Sequence, residues 1–314
     1  MSNKPKVYID GKEGTTGLQI YERLGGRTDI ELLLIDEDKR KDTAERKKLI
    51  NAADLVFLCL PDAAAVEAVS LIENPDTRVI DASTAHRTAD GWVYGFAELL
   101  AGQRERIKTA KRVANPGCHA TGFLAGTAPL SALNVLPADY PVACYSLTGY
   151  SGGGKKLIAE YEDAGRSTLL DAPAPYAIGL THKHLPEMQT LAGLDSAPVF
   201  VPVLGDYYKG MVTTVMLHNR MLKGAPTAQQ LHEMLTEYYK GSTFVRVAPF
   251  GGESPRLHAN TLAGKDWLEL IVSGHAEQTI ITARFDNLGK GASGAAVQNM
   301  NIMLGFDEKT GLNV

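Results

Sequence analysis

Lys6-Val7-Tyr8-Ile9-Asp10-Gly11-Lys12-Glu13-Gly14-Thr15-Thr16-Gly17-Leu18 (6–18) is the stretch that decides the fold. Residues 6–9 read as a strand, 11–17 as a glycine-rich turn, and 18–24 as a helix with Leu18, Tyr21 and Leu24 on one face. Working outward, 30–35 is a second β-like run and 55–60 a third, ending at Pro61. Residues 63–71 are helix-like, and 78–80 form another short strand. Strands separated by helices imply βαβ units and a parallel sheet. The expected fold is α/β, with a Rossmann-like parallel-sheet domain first.

The texture changes beyond residue 116. Residues 120–133 suit one long apolar helix before Pro137. Val, Thr, Tyr and Phe are frequent in 198–217, 244–249 and 268–285, which suggests a largely antiparallel, mixed α+β second domain. The tail 291–304 is helical again, with Val297, Met300 and Leu304 on one stripe. The expected division is 1–116 with 290–314 as one domain and 117–289 as the other.

The chain has 314 residues, room for two domains at roughly 150 residues each. Lys and Arg total 32 against 36 Asp and Glu, a net charge of -4, so the basic excess of a nucleic-acid binder is missing. The longest wholly apolar run, 55–60, is far short of a membrane span, and the first residues lack a signal-peptide core. The three cysteines, Cys59, Cys118 and Cys144, have no metal-ligand spacing. These features lead us to expect a cytoplasmic protein with reduced thiols, no metal, and neither nucleic acid nor membrane as partner.

Three motifs carry chemistry. In the turn, Gly11, Gly14 and Gly17 with Thr15 and Thr16 would let the backbone approach a pyrophosphate, whose charge the helix-start N–H groups would bind. The choice of nucleotide stays open on the residues alone: Asp36 suits a ribose hydroxyl, whereas Lys39, Arg40 and Lys41 suit a 2′-phosphate. In Asn115-Pro116-Gly117-Cys118-His119-Ala120-Thr121-Gly122, Cys118 falls at a helix N-terminus, where the dipole and unpaired N–H groups favour a thiolate and can hold an oxyanion. Cys59 and Cys144 read as buried structural thiols. A thiolate nucleophile needs an acid/base partner, and His182 and His184 at alternate positions would share a face in an extended segment. The other histidines, His119 and His86 among them, read as ordinary. Two more segments suit anions: Ser151 to Lys156, a Gly- and Lys-rich helix start, and Asp81 to Arg87, which ends the fourth strand with a candidate clamp.

Together these residues resemble the N-acetyl-γ-glutamyl-phosphate reductases, especially their shorter form. The resemblance rests on GKEGTTG (11–17), DASTAHR (81–87), YGFAEL (94–99), NPGCHATG (115–122), SGGGKK (151–156), HKHLPE (182–187) and DNLGKGASGAAVQNMN (286–301). It implies a Rossmann-like NADP-binding domain, a catalytic and dimerisation domain of the semialdehyde dehydrogenase type, and a homodimer or homotetramer. Cys118 would attack an acyl phosphate to give a thioester, with His184 as acid/base and His182 positioning the substrate. The cofactor would be held by Gly11, Gly14, Thr15, Thr16, Gly17, Arg40 and Ser83, with Asn287, Lys290, Gly291, Ser293 and Gln298 on the same side. Arg87, Asn115, Ser151, Gly152, Lys155 and Glu187 would hold the small-molecule acyl phosphate. Rival readings are an aspartate-semialdehyde dehydrogenase, a cysteine hydrolase or acyltransferase without a redox step, and a non-catalytic nucleotide sensor. HKHLPE and KGASG argue against the first, and the glycine turn is unexplained by the second.

Overall fold

A computed structural model describes residues 4–252 and 254–314. The chain divides into two compact units. The first runs up to Ala97 and adds Gly102–Pro116 and Ala292–Leu312. The second is Glu98–Ala101, Gly117–Gly291 and Asn313–Val314.

In the first unit β1 (Lys6–Asp10) leads through the glycine turn into α1 (Thr15–Leu24). There follow β2 (Glu31–Leu33), α2 (Thr43–Ala52), β3 (Leu55–Leu58), α3 (Asp62–Ser70), β4 (Arg78–Asp81), β5 (Val93–Tyr94), α4 (Gln103–Thr109) and β6 (Arg112–Ala114). The strands form one parallel sheet in the order β2-β1-β3-β4-β6-β5. Alternate residues of β1 feed different cores. Val7 and Ile9 join Ile20, Leu24 and Phe57 on one face, and Tyr8 joins Ile50, Val56 and Val79 on the other. Burial on both faces explains the near-continuous apolar strands. The chain goes to one side of β1 for β2 and to the other for β3, so a topological switch point lies beside the turn, where open α/β sheets bind ligands.

Some expected elements are shorter than their sequence signal. The run 30–35 yields only Glu31–Leu33, because β2 is an edge strand with one neighbour. The run 55–60 ends at Leu58, which leaves Cys59 just beyond the strand. The C-terminal helix (Gly294–Leu304) follows a π-helical turn at Gly289–Ser293, and it has no single apolar stripe, since Gly294 to Met303 are all buried. Its side-chain amides bond inside the unit, except that the buried Asn299 Oδ1 has no hydrogen-bond partner among the described residues. Asn301 Oδ1 accepts from Arg27 at 2.6 Å and Asn299 Nδ2 donates to the Gly95 carbonyl at 2.8 Å.

The second unit opens with α5 (Cys118–Ala132) and β7 (Ala143–Gly149), then α6 (Gly154–Glu162) and β8 (Ala174–Pro175). It continues through α7 (Leu185–Ala192), β9 (Val199–Gly205), β10 (Met211–His218), α8 (Ala228–Tyr238), β11 (Val245–Val247), β12 (Leu268–Gly274) and β13 (Gln278–Phe285). The sheet order is β11-β12-β13-β10-β7-β9-β8. The hairpin strands pair antiparallel as expected. Two pairs, β7 with β9 and β11 with β12, are parallel because long connections carry the chain back to its starting edge. The apolar helix α5 packs on one sheet face, against β10 and β13.

At the end of β1 the Asp10 carboxylate, 2% exposed, takes hydrogen bonds from Arg46 of α2 at 3.0–3.3 Å. Buried charge is tolerated only when paired. Arg46→Met is therefore expected to cost about 3–5 kcal/mol in urea denaturation, and Asp10→Asn in the same chain to regain most of it. A loss below about 1 kcal/mol would contradict the pairing.

Candidate active site

Cys118 is the first residue of α5 and half-buried, and no side chain caps that helix. The helix starts here because Pro116-Gly117 ends the preceding extended segment and a mostly apolar run follows. Glu187, on the first turn of α7 and 2% exposed, reaches this helix start. Its Oε2 accepts the Gly117 N–H at 3.1 Å, and its Oε1 lies 4.0 Å from His184 Nε2. Gly291 lies against the nucleophile from another side, since a Cβ there would stand 3.1 Å from the Cys118 Cβ.

The two histidines of HKHLPE do not share a face of an extended segment. His184 occupies the N-cap of α7 with helical φ and ψ, in a turn closed by Leu185 N–H donating to the His182 carbonyl at 3.0 Å. Pro186 favours that helix start. The rings still meet, because the His184 N–H donates to His182 Nδ1 at 3.1 Å and the ring centroids are 4.6 Å apart. His119 completes a cluster, 5.3 Å from the His182 ring and 5.6 Å from His184. Burial, with lesser contributions from His182 and Lys183, holds His119 down at about 3, so it is neutral at physiological pH. Burial pushes the Cys59 and Cys144 thiols well above their ordinary range, which makes both poor nucleophiles.

The SGGGKK segment opens α6. Ser151 is buried and its Oγ accepts from Asn287 Nδ2 at 3.0 Å, while Asn287 Oδ1 accepts the Gly210 N–H at 2.8 Å. Gly152 and Lys155 are exposed. Lys290 is 2% exposed and its ammonium pairs with Glu98 at 2.7 Å.

In the first unit the glycine turn has the geometry of a phosphate cradle. Gly11 adopts φ +85, and a Cβ there would collide with the Cys59 carbonyl. A Cβ on Gly17 would strike Gly11. The N-cap Gly14 offers no side-chain cap to α1, and the buried Thr15 Oγ1 has no hydrogen-bond partner among the described residues. These features fit a dinucleotide pyrophosphate. Arg40 lies apart on an exposed 3₁₀ turn, 3.8 Å from Glu37, and Lys39 is 3.4 Å from Asp36.

At the end of β4, Ser83 donates to Asp81 through both N–H (2.9 Å) and Oγ (2.6 Å). His86 Nδ1 lies 2.6 Å from the same carboxylate and its ring stacks on Trp92 at 4.1 Å. Arg87 donates to the carbonyls of Asn115 (3.0 Å) and Ala82 (3.2 Å), tying the ends of β4 and β6 together. The Asn115 side chain donates to the Ala292 carbonyl, Ser293 Oγ donates to Gln19, and Gln298 donates to Glu308.

Residues 6–110 match the semialdehyde dehydrogenase, NAD binding domain family, and residues 118–287 match the semialdehyde dehydrogenase, dimerisation domain family. The chain is 48% identical to N-acetyl-gamma-glutamyl-phosphate reductase 2 of a Nostoc species, over 99% of this chain and 100% of that one. It is 50% identical to the N-acetyl-gamma-glutamyl-phosphate reductase of Brucella ovis, over 96% and 99%. The chain belongs to the N-acetyl-γ-glutamyl-phosphate reductase family. The fold of this reductase-family chain is shared with aspartate semialdehyde dehydrogenase II of Vibrio cholerae, in complex with ASA, at TM-score 0.73 and 17% identity, covering 96% and 99% of the two chains. The Francisella tularensis aspartate semialdehyde dehydrogenase gives 0.72 and 13%, covering 96% and 100%.

In this reductase-family chain, Cys118, His182, His184, Glu187 and Gly291 come together in one unit, and the glycine turn, Ser83, Arg87 and Asn115 lie in the other. Sequence reading passed over His119, Tyr176, Glu98 and His86. For His119 a signal existed: it is an imidazole inside an otherwise apolar helix, next to the nucleophile. Tyr176 and Glu98 owe their partners to contacts 57 and 192 residues away that no local spacing reveals, whereas the partner of His86, Asp81, lies five residues away in the same motif.

Proposed function

We propose that the protein reduces N-acetyl-γ-glutamyl phosphate to N-acetylglutamate 5-semialdehyde and phosphate with NADPH, in arginine biosynthesis in the cytoplasm. The observation that carries this reading is Glu187 joining the helix start of Cys118 to His184 in a chain half-identical to reductases of that name. Relatedness at this level favours the reductase over the aspartate-semialdehyde reading, whose support is likeness of fold. We assign nucleotide binding to 1–116 with 290–314, and catalysis with oligomerisation to 117–289.

Cys118 Sγ attacks the γ-acyl carbon. The bond from that carbon to the phosphate oxygen breaks, and phosphate leaves with the electron pair. The first-turn N–H groups of α5 steady the oxyanion that precedes its departure. NADPH, when bound, supplies the hydride that reduces the thioester carbonyl. His184 gives a proton to the carbonyl oxygen at that stage and takes it back when the C–S bond breaks, which frees the aldehyde and restores the thiolate. His119 is too strongly neutral to share this work. His182 accepts the His184 N–H and fixes the turn beside the substrate. Glu187 acts from its buried place by orienting His184, not as an exposed substrate ligand. Gly152 and Lys155 are the accessible members of the anion loop, with Ser151 fixing its shape and Asn287 holding Ser151. Arg87 and Asn115 brace the strand ends from which Ser83 faces the ligand side. The glycine turn with Thr15 and Thr16 takes the pyrophosphate, Arg40 the 2′-phosphate. Gly291 makes room beside Cys118, Ser293 holds α1 through Gln19, and Lys290 keeps the intervening loop in place through Glu98.

The reverse reaction tests this directly. With N-acetylglutamate semialdehyde, phosphate and NADP, the protein is expected to form NADPH in a phosphate-dependent way, and Cys118→Ser to abolish it. Equal or better turnover of aspartate semialdehyde would overturn the substrate assignment.

We infer further that a second copy covers the sheet face opposite α5. Register places Val199, Ala143, Met216 and Ile280 in one row across four strands and Val201 beside Tyr145 in the next. Of these, all but Ala143 are exposed. A contiguous exposed apolar patch of this kind is the ordinary mark of an association surface, and the matching family is a dimerisation domain. Met216→Lys with Ile280→Lys is expected to shift the protein to a monomer on size exclusion. Unchanged elution would place the interface elsewhere.

A further inference from the structure

A single imidazole outside the acid/base pair touches both ends of the segment that delivers His184. Residues 176–182 form a strap that leads from the edge strand β8 to the start of α7. At one end the Tyr176 N–H donates to the Pro202 carbonyl of β9 at 3.0 Å. At the other, His182 Nδ1 accepts the His184 N–H. Between them the strap turns, with the Leu180 N–H donating to the Ala177 carbonyl at 3.0 Å. Ala177 and Leu180 have φ of +49 and +56, left-handed values that a residue with a Cβ seldom holds. Such a conformation lasts only where its surroundings impose it. Residues 178–181 are exposed, so the turn is held from its two ends.

His119, the residue after Cys118 on α5, grips both. Its Nε2 is 2.8 Å from the Tyr176 hydroxyl at the start of the strap. Its ring meets the His182 ring edge-on at 5.3 Å and lies 5.6 Å from the His184 ring. Phe200 of β9 packs against both His119 (5.2 Å) and His182 (5.3 Å). The imidazole is itself anchored to the sheet. Its Nδ1 is 2.8 Å from Ser146 Oγ on β7, which is 2.7 Å from Thr213 Oγ1 on β10, and all three residues are buried. Ser146 is the one hydrogen-bond partner of the Thr213 hydroxyl among the described residues, so that buried donor is used only if Thr213 donates to Ser146. Ser146 then donates to Nδ1, and the neutral ring carries its proton on Nε2 and donates it to the Tyr176 oxygen.

We propose that His119 is a positioning residue for the reaction: by holding Tyr176 and His182 it fastens the 176–182 strap to the helix of the nucleophile, and so sets where His184 stands relative to Cys118. His119 moves no proton, and the acid/base role remains with His184. The proposal rests on the reductase reading given above.

The test uses the full chain with Tyr176→Phe, His119→Leu and His119→Gln, each alone and combined with His184→Ala. Two quantities are measured, the kcat of the reverse reaction and the rate of tryptic cleavage after Lys183. That residue is exposed between the two histidines, and a fastened strap protects the bond after it by denying the local opening that cleavage needs. Tyr176→Phe and His119→Leu are each expected to lower kcat about 100-fold, the effect of a misplacement of about 1 Å, and to speed cleavage. His119→Gln, whose amide N–H can still donate to the Tyr176 oxygen, should recover most of both. Once His184→Ala has removed the imidazole, His119→Leu should lower the residual kcat no further. A further large loss in that background would overturn the proposal, because His119 would then act on something other than His184. So would wild-type kcat and cleavage in Tyr176→Phe, a substitution that removes one oxygen and keeps the ring. A His119→Gln protein as slow as His119→Leu would also overturn it, since packing alone would then explain the loss. A wild-type protein without phosphate-dependent NADPH formation would overturn the reductase reading instead, and the cleavage rates would still decide whether His119 fastens the strap.

Discussion

A carboxylate buried at the start of a helix is the constraint on which the catalytic unit depends. Glu187, 2% exposed, satisfies itself by accepting the Gly117 N–H and by lying 4.0 Å from His184. Gly117 fixes where α5 begins, and therefore where Cys118 stands relative to the helix dipole. His184 fixes where an imidazole stands relative to Cys118. The carboxylate cannot leave this position without exposing a buried charge to an apolar interior, so two segments 70 residues apart are held together by the cost of separating them. The start of α5 itself needs no side-chain cap, which leaves its N–H dipoles directed at the sulfur and its substrate.

The same logic of satisfied burial runs through the rest of the molecule. Asp10 is held by Arg46 beneath the glycine turn, Lys290 by Glu98 in the loop before the C-terminal helix, and Asp81 by Ser83 and His86 at the end of β4. Each pair fixes a backbone segment that carries a motif. These motifs therefore combine a few residues for chemistry with several that only hold the loop. Asn299 and Asn301 of QNMN belong to the second kind, for their amides close hydrogen bonds within the C-terminal helix and its surroundings.

Much of this was legible before the structure. The 6–18 pattern gives β1, the turn and α1 because a strand buried on both faces and a glycine bend leave strong local marks. The apolar run after Gly117 gives α5 and places Cys118 at its first turn. The structure differs where local signal and tertiary context part. The β-like run 30–35 shrinks to three residues at a sheet edge, and the C-terminal stripe turns out to be a helix buried all round. The two histidines meet through a turn, not through strand alternation, because Pro186 starts α7 and leaves His184 at its N-cap. His119 looked ordinary because its partners, Ser146 and Tyr176, are 27 and 57 residues away, and only the folded sheet brings them to its ring.

The covalent role of Cys118 is the point on which the functional reading stands, and single-turnover chemistry reaches it without any variant. The protein is mixed rapidly with N-acetylglutamate semialdehyde and NADP in the absence of phosphate. The aldehyde carbon adds to Cys118, loses hydride and stops as a thioester, because nothing is present to carry the acyl group away. The expected result is a stoichiometric burst of NADPH followed by a stall, an acyl adduct on Cys118 by mass spectrometry, and resumed turnover on adding phosphate. No NADPH and no adduct until phosphate arrives would contradict the thioester, and with it the placement of the chemistry at the start of α5.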